Sequence, residues 1–218
     1  EAFESARNLD PESVAVEIGL GNVSLSRGDT TRAFEHYREA KALDSDDPVP
    51  YINLGSLYTA GGHLEEALGE LGEALERSPD DPGIYLNLSV IYYKSGQYDA
   101  ALFHCKEHLK REPKSSKAHL LLGNIAQARG ENERAVEAYQ QALERHGDNP
   151  EVHLGLASSQ EALGNVEEAL RHWDRWTDLV QADPAQVNEA DRVAMWLKVR
   201  MVVWRATDWI NGLIGARE

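Results

Sequence analysis

The sequence predicts an all-α protein: an α-solenoid in which one antiparallel helix–turn–helix unit recurs along the chain. Three observations predict it. Glycines stand at 28, 62, 96, 130 and 164, each 34 residues from the last. Alanines at 33, 67, 101, 135 and 169 keep the same interval, as do the dipeptides beginning at Leu20, Leu54, Leu88, Leu122 and Leu156. Coincident series without an insertion over five cycles mark a repeat architecture.

Within one cycle the elements follow in order. Tyr51, Leu54, Gly55 and Tyr58 fall at the i, i+3, i+4, i+7 spacing of one face of a first helix. Gly62 then supplies a left-handed stop, a conformation that glycine adopts without steric cost. A second apolar series, Leu64, Ala67, Leu68, Leu71, Ala74 and Leu75, gives the second helix. Pro79 and Pro82, with Asp80 and Asp81 between them, end it and open the next. Gly55 and Ala67 are small where the two backbones are expected to approach closely.

The set Tyr51-x2-Leu54-Gly55-x2-Tyr58, Ala67-x3-Leu71, Ala74 and Pro79 resembles the 34-residue pattern of the tetratricopeptide repeat family. Tyr85, Leu88, Tyr92, Tyr98, Ala101 and Pro113 carry it into the next cycle. The resemblance covers residues 14–183 as five repeats, 14–47, 48–81, 82–115, 116–149 and 150–183. It implies a right-handed superhelix whose concave face is lined by the first helix of every repeat.

Residues 1–13 match only the closing part of a repeat, with Phe3, Ala6, Leu9 and Pro11 in its slots. They are expected to form the second helix of a truncated upstream repeat, part of a longer array. Residues 184–218 are expected to form an extended, Trp-rich capping or docking helix.

In this family slots 2, 5, 6, 9, 12 and 13 of each repeat face a ligand. Slot 5 holds Ile18, Ile52, Leu86, Leu120 and Leu154, aliphatic throughout. Slots 6 and 9 hold Asn22, Asn53, Asn87 and Asn124; Tyr93, Lys94 and Lys117 complete the candidate partner-binding set. Such a surface suits an extended peptide or an amphipathic helix: aliphatic side chains take apolar anchors, and asparagine can donate to and accept from a peptide main chain. The competing reading makes slot 5 apolar for packing alone. One subset of the family clamps a chaperone C-terminal carboxylate with cations and asparagines. The positions that match its cations are Ile18, Gly83 and Asn87, so that ligand is not expected here.

The formal charge of −15, from 22 Lys+Arg and 37 Asp+Glu, argues against a nucleic-acid or anionic-membrane partner. The most apolar stretch, Val193 to Trp204, carries Lys198 and Arg200 and is too short to span a bilayer, so no membrane insertion is expected. Its tryptophans instead suggest docking. Trp196, Trp204, Trp209 and Ile210 are the expected contact residues for a second copy or an adjoining domain through residues 193–214.

His104, Cys105, His108 and His119 are spaced so that metal ligation has to be weighed, but core histidines at these repeat slots are the commoner case; neither metal nor cofactor is expected. Asn22-Val-Ser24 and Asn87-Leu-Ser89 match the glycosylation pattern but lie within predicted helices. Cys105 is the only cysteine, so no intrachain disulfide can form; the compartment stays open, tipped toward the cytoplasm. No nucleophile–base–acid set, phosphate loop or paired carboxylate can be assembled. The sequence therefore reads as a non-enzymatic scaffold or adaptor holding a protein or peptide. The alternative is a recruiting or regulatory arm of a larger enzyme such as a glycosyltransferase.

Overall fold

A computed structural model of the chain describes residue 10 and residues 12–146 and 148–182. The expected upstream half-repeat at 1–13 lies largely outside the described residues, and the expected C-terminal helix at 184–218, with its candidate contact residues, lies wholly outside them. Every regular element among the described residues is helical: α1 (Val14–Ser26), α2 (Thr30–Leu43), α3 (Pro48–Gly61), α4 (Leu64–Arg77), α5 (Pro82–Lys94), α6 (Tyr98–Arg111), α7 (Ser116–Ala128), α8 (Asn132–His146), α9 (Pro150–Ala162) and α10 (Val166–Ala182).

The chain divides into two compact units, Glu1–Pro113 and Lys114–Glu218. Three helical hairpins, α1–α2, α3–α4 and α5–α6, make up the described part of the first unit; α7–α8 and α9–α10 make up that of the second. Each hairpin turns at a glycine with positive φ, between 75° at Gly96 and Gly130 and 80° at Gly62. Start signals recur with the same period. Asp47, Asp81 and Asn149 each accept a backbone N–H two residues on, at 2.9, 2.7 and 2.8 Å, just ahead of Pro48, Pro82 and Pro150 in the first helical turn. These caps satisfy donors that the helix itself leaves unpaired.

Within the first, second and fourth hairpins a small residue on the first helix receives a large one from the second. A Cβ built on Gly21 would lie 2.4 Å from the Tyr37 ring, one on Gly55 2.7 Å from Leu71 Cγ, and one on Gly123 2.4 Å from the Tyr139 ring. In the third hairpin both residues are small: opposite Cys105 stands Ser89, which donates from Oγ to the Ala101 carbonyl at 2.8 Å. Close packing of this kind leaves little room for volume change.

Hairpins join through buried apolar clusters. In the first unit Tyr51, Leu71, Ile84, Leu88 and Ile91 tie the second hairpin to the third. In the second unit Ala126, Tyr139, Val152 and Leu156 link α7 and α8 to α9. Polar bonds repeat at the junctions of the first unit. Tyr51 donates to the Ser45 carbonyl at 2.9 Å with the Arg77 guanidinium 4.2 Å from its ring centre. One repeat on, Tyr85 donates to the Pro79 carbonyl at 2.7 Å beneath Arg111 at 4.3 Å. Lys41 adds a second cation 4.3 Å from the Tyr51 ring and pairs with Glu70.

Candidate functional site

In the first unit the aliphatic slots Ile18, Ile52 and Leu86 are half-buried, and Ile52 packs against the core that ties the second and third hairpins together. Two bonds bring the candidate slots of successive repeats together. Asn87 donates from Nδ2 to Ser56 Oγ at 3.3 Å, and Lys94 Nζ donates to the Thr59 carbonyl at 3.3 Å. Asn53 makes no side-chain hydrogen bond among the described residues. Tyr93 lies 5.9 Å from the Tyr98 ring, and burial raises its phenol pKa. Two large apolar side chains at these slots stand in solvent, Leu25 at 38% and Val49 at 39% exposure.

In the second unit Leu120 and Leu154 are half-buried, each against one of its core clusters, and Lys117 is exposed. Gln127, at another candidate slot, donates to Ser159 Oγ at 3.3 Å.

Asn22 and Asn124 hold a second, structural job. Tyr37 donates its hydroxyl to Asn22 Oδ1 at 2.6 Å, and Tyr139 does the same to Asn124 Oδ1 at 2.7 Å. The sequence carried a signal for this pairing. The slots that hold Tyr37 and Tyr139 hold Leu71, Cys105 and Trp173 in the other repeats, and opposite those three the asparagine is replaced by Ser56, Val90 and Ser158. Asparagine occurs where a buried tyrosine needs an acceptor.

One polar cluster was not foreseen. His153 is buried, with Nδ1 3.0 Å from His172 Nδ1 and Nε2 3.1 Å from Asp148 Oδ1. Arg175 bonds the other Asp148 oxygen and, with His153, holds that carboxyl at about 2. The proton assignment follows. An ionised Asp148 must accept from His153 Nε2–H, and across the 3.0 Å gap one of the two Nδ1 atoms donates to the other. Burial, and then the neighbouring His153, lower the His172 pKa; Glu168 opposes the shift and Arg171 adds to it.

A histidine whose folded pKa lies below its unfolded value contributes stability above the unfolded value, near 6.5, and loses it as pH falls. His104, lowered by burial, adds in the same direction. The urea midpoint is therefore expected to fall as pH drops from neutrality through the histidine range. Replacing His172 with Gln should flatten that fall, and an unchanged slope in the variant would show that this pair does not set it.

Among the described residues no three His, Cys, Asp or Glu side chains come together to hold a metal. Of the residues weighed as ligands, Cys105 is buried, which pushes its thiol up to about 11, and His108 donates from Nδ1 to the Pro82 carbonyl at 2.8 Å. No described helix is long and apolar enough to cross a membrane. The glycosylation patterns are built into helices: Ser24 and Ser89 are buried, and both asparagines are hydrogen-bonded.

Hairpins of this size and spacing invite comparison with known repeat proteins. Two models described as tetratricopeptide repeat match the chain, one at residues 60–125 and the other at 1–48 and 120–185. The chain belongs to the tetratricopeptide repeat family. No curated protein sequence matches it. Among solved structures it is similar to a chain of the APC/C hetero-tetramer Cut9–Hcn1, with TM-score 0.81 and 18% identity over 92% of this chain; it spans 38% of that one. PilW, a type IV pilus biogenesis factor, aligns with TM-score 0.74 and 20% identity over 88% of this tetratricopeptide repeat chain and 87% of its own. YrrB, a tetratricopeptide repeat protein with an unusual peptide-binding site, aligns with TM-score 0.62 and 19% identity over 95% and 98%. Likeness at these identities concerns the fold.

Proposed function

We propose that this tetratricopeptide repeat chain is a non-enzymatic scaffold that holds a peptide or helix of a partner protein against its first helices, with the face of α1, α3 and α5 as the principal site. One observation carries the reading. The candidate slots of α3 and α5 meet through Asn87–Ser56 and Lys94–Thr59, while Asn53, Leu25 and Val49 at the same class of slot keep amide and apolar surface unsatisfied by the fold. Membership of the family supports it, as does the likeness in fold to YrrB with its peptide-binding site.

The test uses short random peptides displayed on phage and selected on the full chain. Replacing Asn53 and Asn87 jointly with Ala should weaken the selected peptides by about tenfold or more, since two main-chain hydrogen bonds are each worth about 0.5–1.5 kcal/mol. The melting temperature should hardly move, because neither amide serves a buried group. Binding that instead tracks substitutions at exposed Glu65 and Glu66 on α4 would place the site on the second helices.

A further inference from the structure

The face of α1, α3 and α5 is also peculiar in its charge. We infer that the segment it holds is apolar, nearly free of charge, and carries a single carboxylate that meets Lys94. This rests on the reading of that face as a ligand site.

Glu17 and Lys94 are the only charged residues of α1, α3 and α5. Glu17 is buried and its carboxylate lies 2.7 Å from His36 Nδ1, so it is spent inside the first hairpin. Lys94 is then the one charge that these three helices present to a ligand. Their partners are the reverse: α4 alone carries Glu65, Glu66, Glu70, Glu73 and Glu76, and α2 and α6 alternate acids and bases. Apart from these two residues, the charged residues between Val14 and Arg111 thus lie on second helices and loops.

Solubility would favour charge on any wet surface, so its absence here needs another reason. Leu25 and Val49 lie more than a third exposed at the slots assigned to this face, and Ser56 and Ala60 at two further slots are exposed as well. Interface centres are depleted of charge in this way. A charged ligand side chain laid here would lose hydration and find no ionic partner, which is costly. An apolar one would take exposed apolar surface, such as that of Leu25 or Val49, out of water with it.

Lys94 sets the exception. Its ammonium spends one donor on the Thr59 carbonyl and keeps two. A carboxylate reaching that end of the face would be paired, whereas several would be repelled by the rest of the molecule. A cationic segment would find its partners on α4 and not here.

The experiment pans the same phage-displayed random peptides on the full chain at low and at high salt. Expected are clones rich in Leu, Ile, Val and aromatic residues, with at most one Asp or Glu, held almost equally at both salts. Val49→Asp should weaken them about tenfold or more, because an unpaired charge enters the covered face. Lys94→Ala should weaken severalfold only those clones that carry a carboxylate. Lys- or Arg-rich clones released by salt, yet still lost in the joint Asn53→Ala, Asn87→Ala variant, would leave the site standing and overturn its ligand chemistry. Selection that yields no clone sensitive to Val49→Asp or to the asparagine pair would overturn both.

Discussion

Replacing Tyr139 with Ala is expected to lower stability by about 3–5 kcal/mol, the usual cost of emptying a fully buried aromatic site. The ring is wholly buried and lies between two glycines. A Cβ built on Gly123 would stand 2.4 Å from it, and one on Gly155 2.3 Å. Both glycines lie on first helices, Gly123 on α7 and Gly155 on α9, so this one side chain fills the contact within its own hairpin and the contact with the next. Glycine cannot extend to fill the space that the ring leaves, and two helices would have to move together to close it. Tyr139→Phe separates the ring from the hydroxyl. It removes the one hydroxyl proton that Asn124 Oδ1 accepts at 2.7 Å, with Gln127 Oε1 at 3.2 Å, and should cost about 0.5–1.5 kcal/mol. Urea unfolding of both variants against the parent measures the two terms. A cost for Tyr139→Ala no larger than that for Tyr139→Phe would mean that the hydroxyl, and not the ring, holds these helices.

Much of this architecture could be read from residue order, because its signals are local. A helix that must reverse within a few residues needs the left-handed backbone, and Gly28, Gly62, Gly96, Gly130 and Gly164 each announce it. Small residues facing large ones also recur at fixed offsets, so the Gly21–Tyr37 and Gly123–Tyr139 contacts follow once the period is known. What escaped depends on side chains meeting across elements. Asp148, His153, His172 and Arg175 come from a loop and two helices, and no spacing motif joins them. Asn22 and Asn124 stand at slots that face a ligand in this family, and the tyrosine hydroxyl that each accepts becomes visible only when the hairpin closes. The division between Pro113 and Lys114 falls where the 34-residue period runs on without a break, so periodicity gave no sign of it. The low charge of α1, α3 and α5 is written in their composition, whereas the bonds by which Asn87 and Lys94 reach α3 appear only in the fold.

The register of the first unit has its own test in the third hairpin. Ala101 is fully buried on α6, and its carbonyl accepts the Ser89 hydroxyl across the helix crossing at 2.8 Å. The same slot holds Ala33, Ala67, Ala135 and Ala169, all fully buried as well. A methyl group is therefore what this crossing accommodates in every repeat. Ala101→Leu adds three carbons where α5 and α6 are closest, and relief requires either strained rotamers or separation of the helices, which would also stretch the Ser89 bond. The expected cost is about 1–3 kcal/mol. Glu65→Leu supplies the control, because Glu65 is exposed in the first turn of α4 and its replacement should shift stability by less than about 0.5 kcal/mol. Urea midpoints for the two variants should differ clearly, with Ala101→Leu the less stable. Equal shifts would mean that the α5–α6 crossing yields to an added side chain as readily as the surface does, and that small residues are not what sets the distance between the helices.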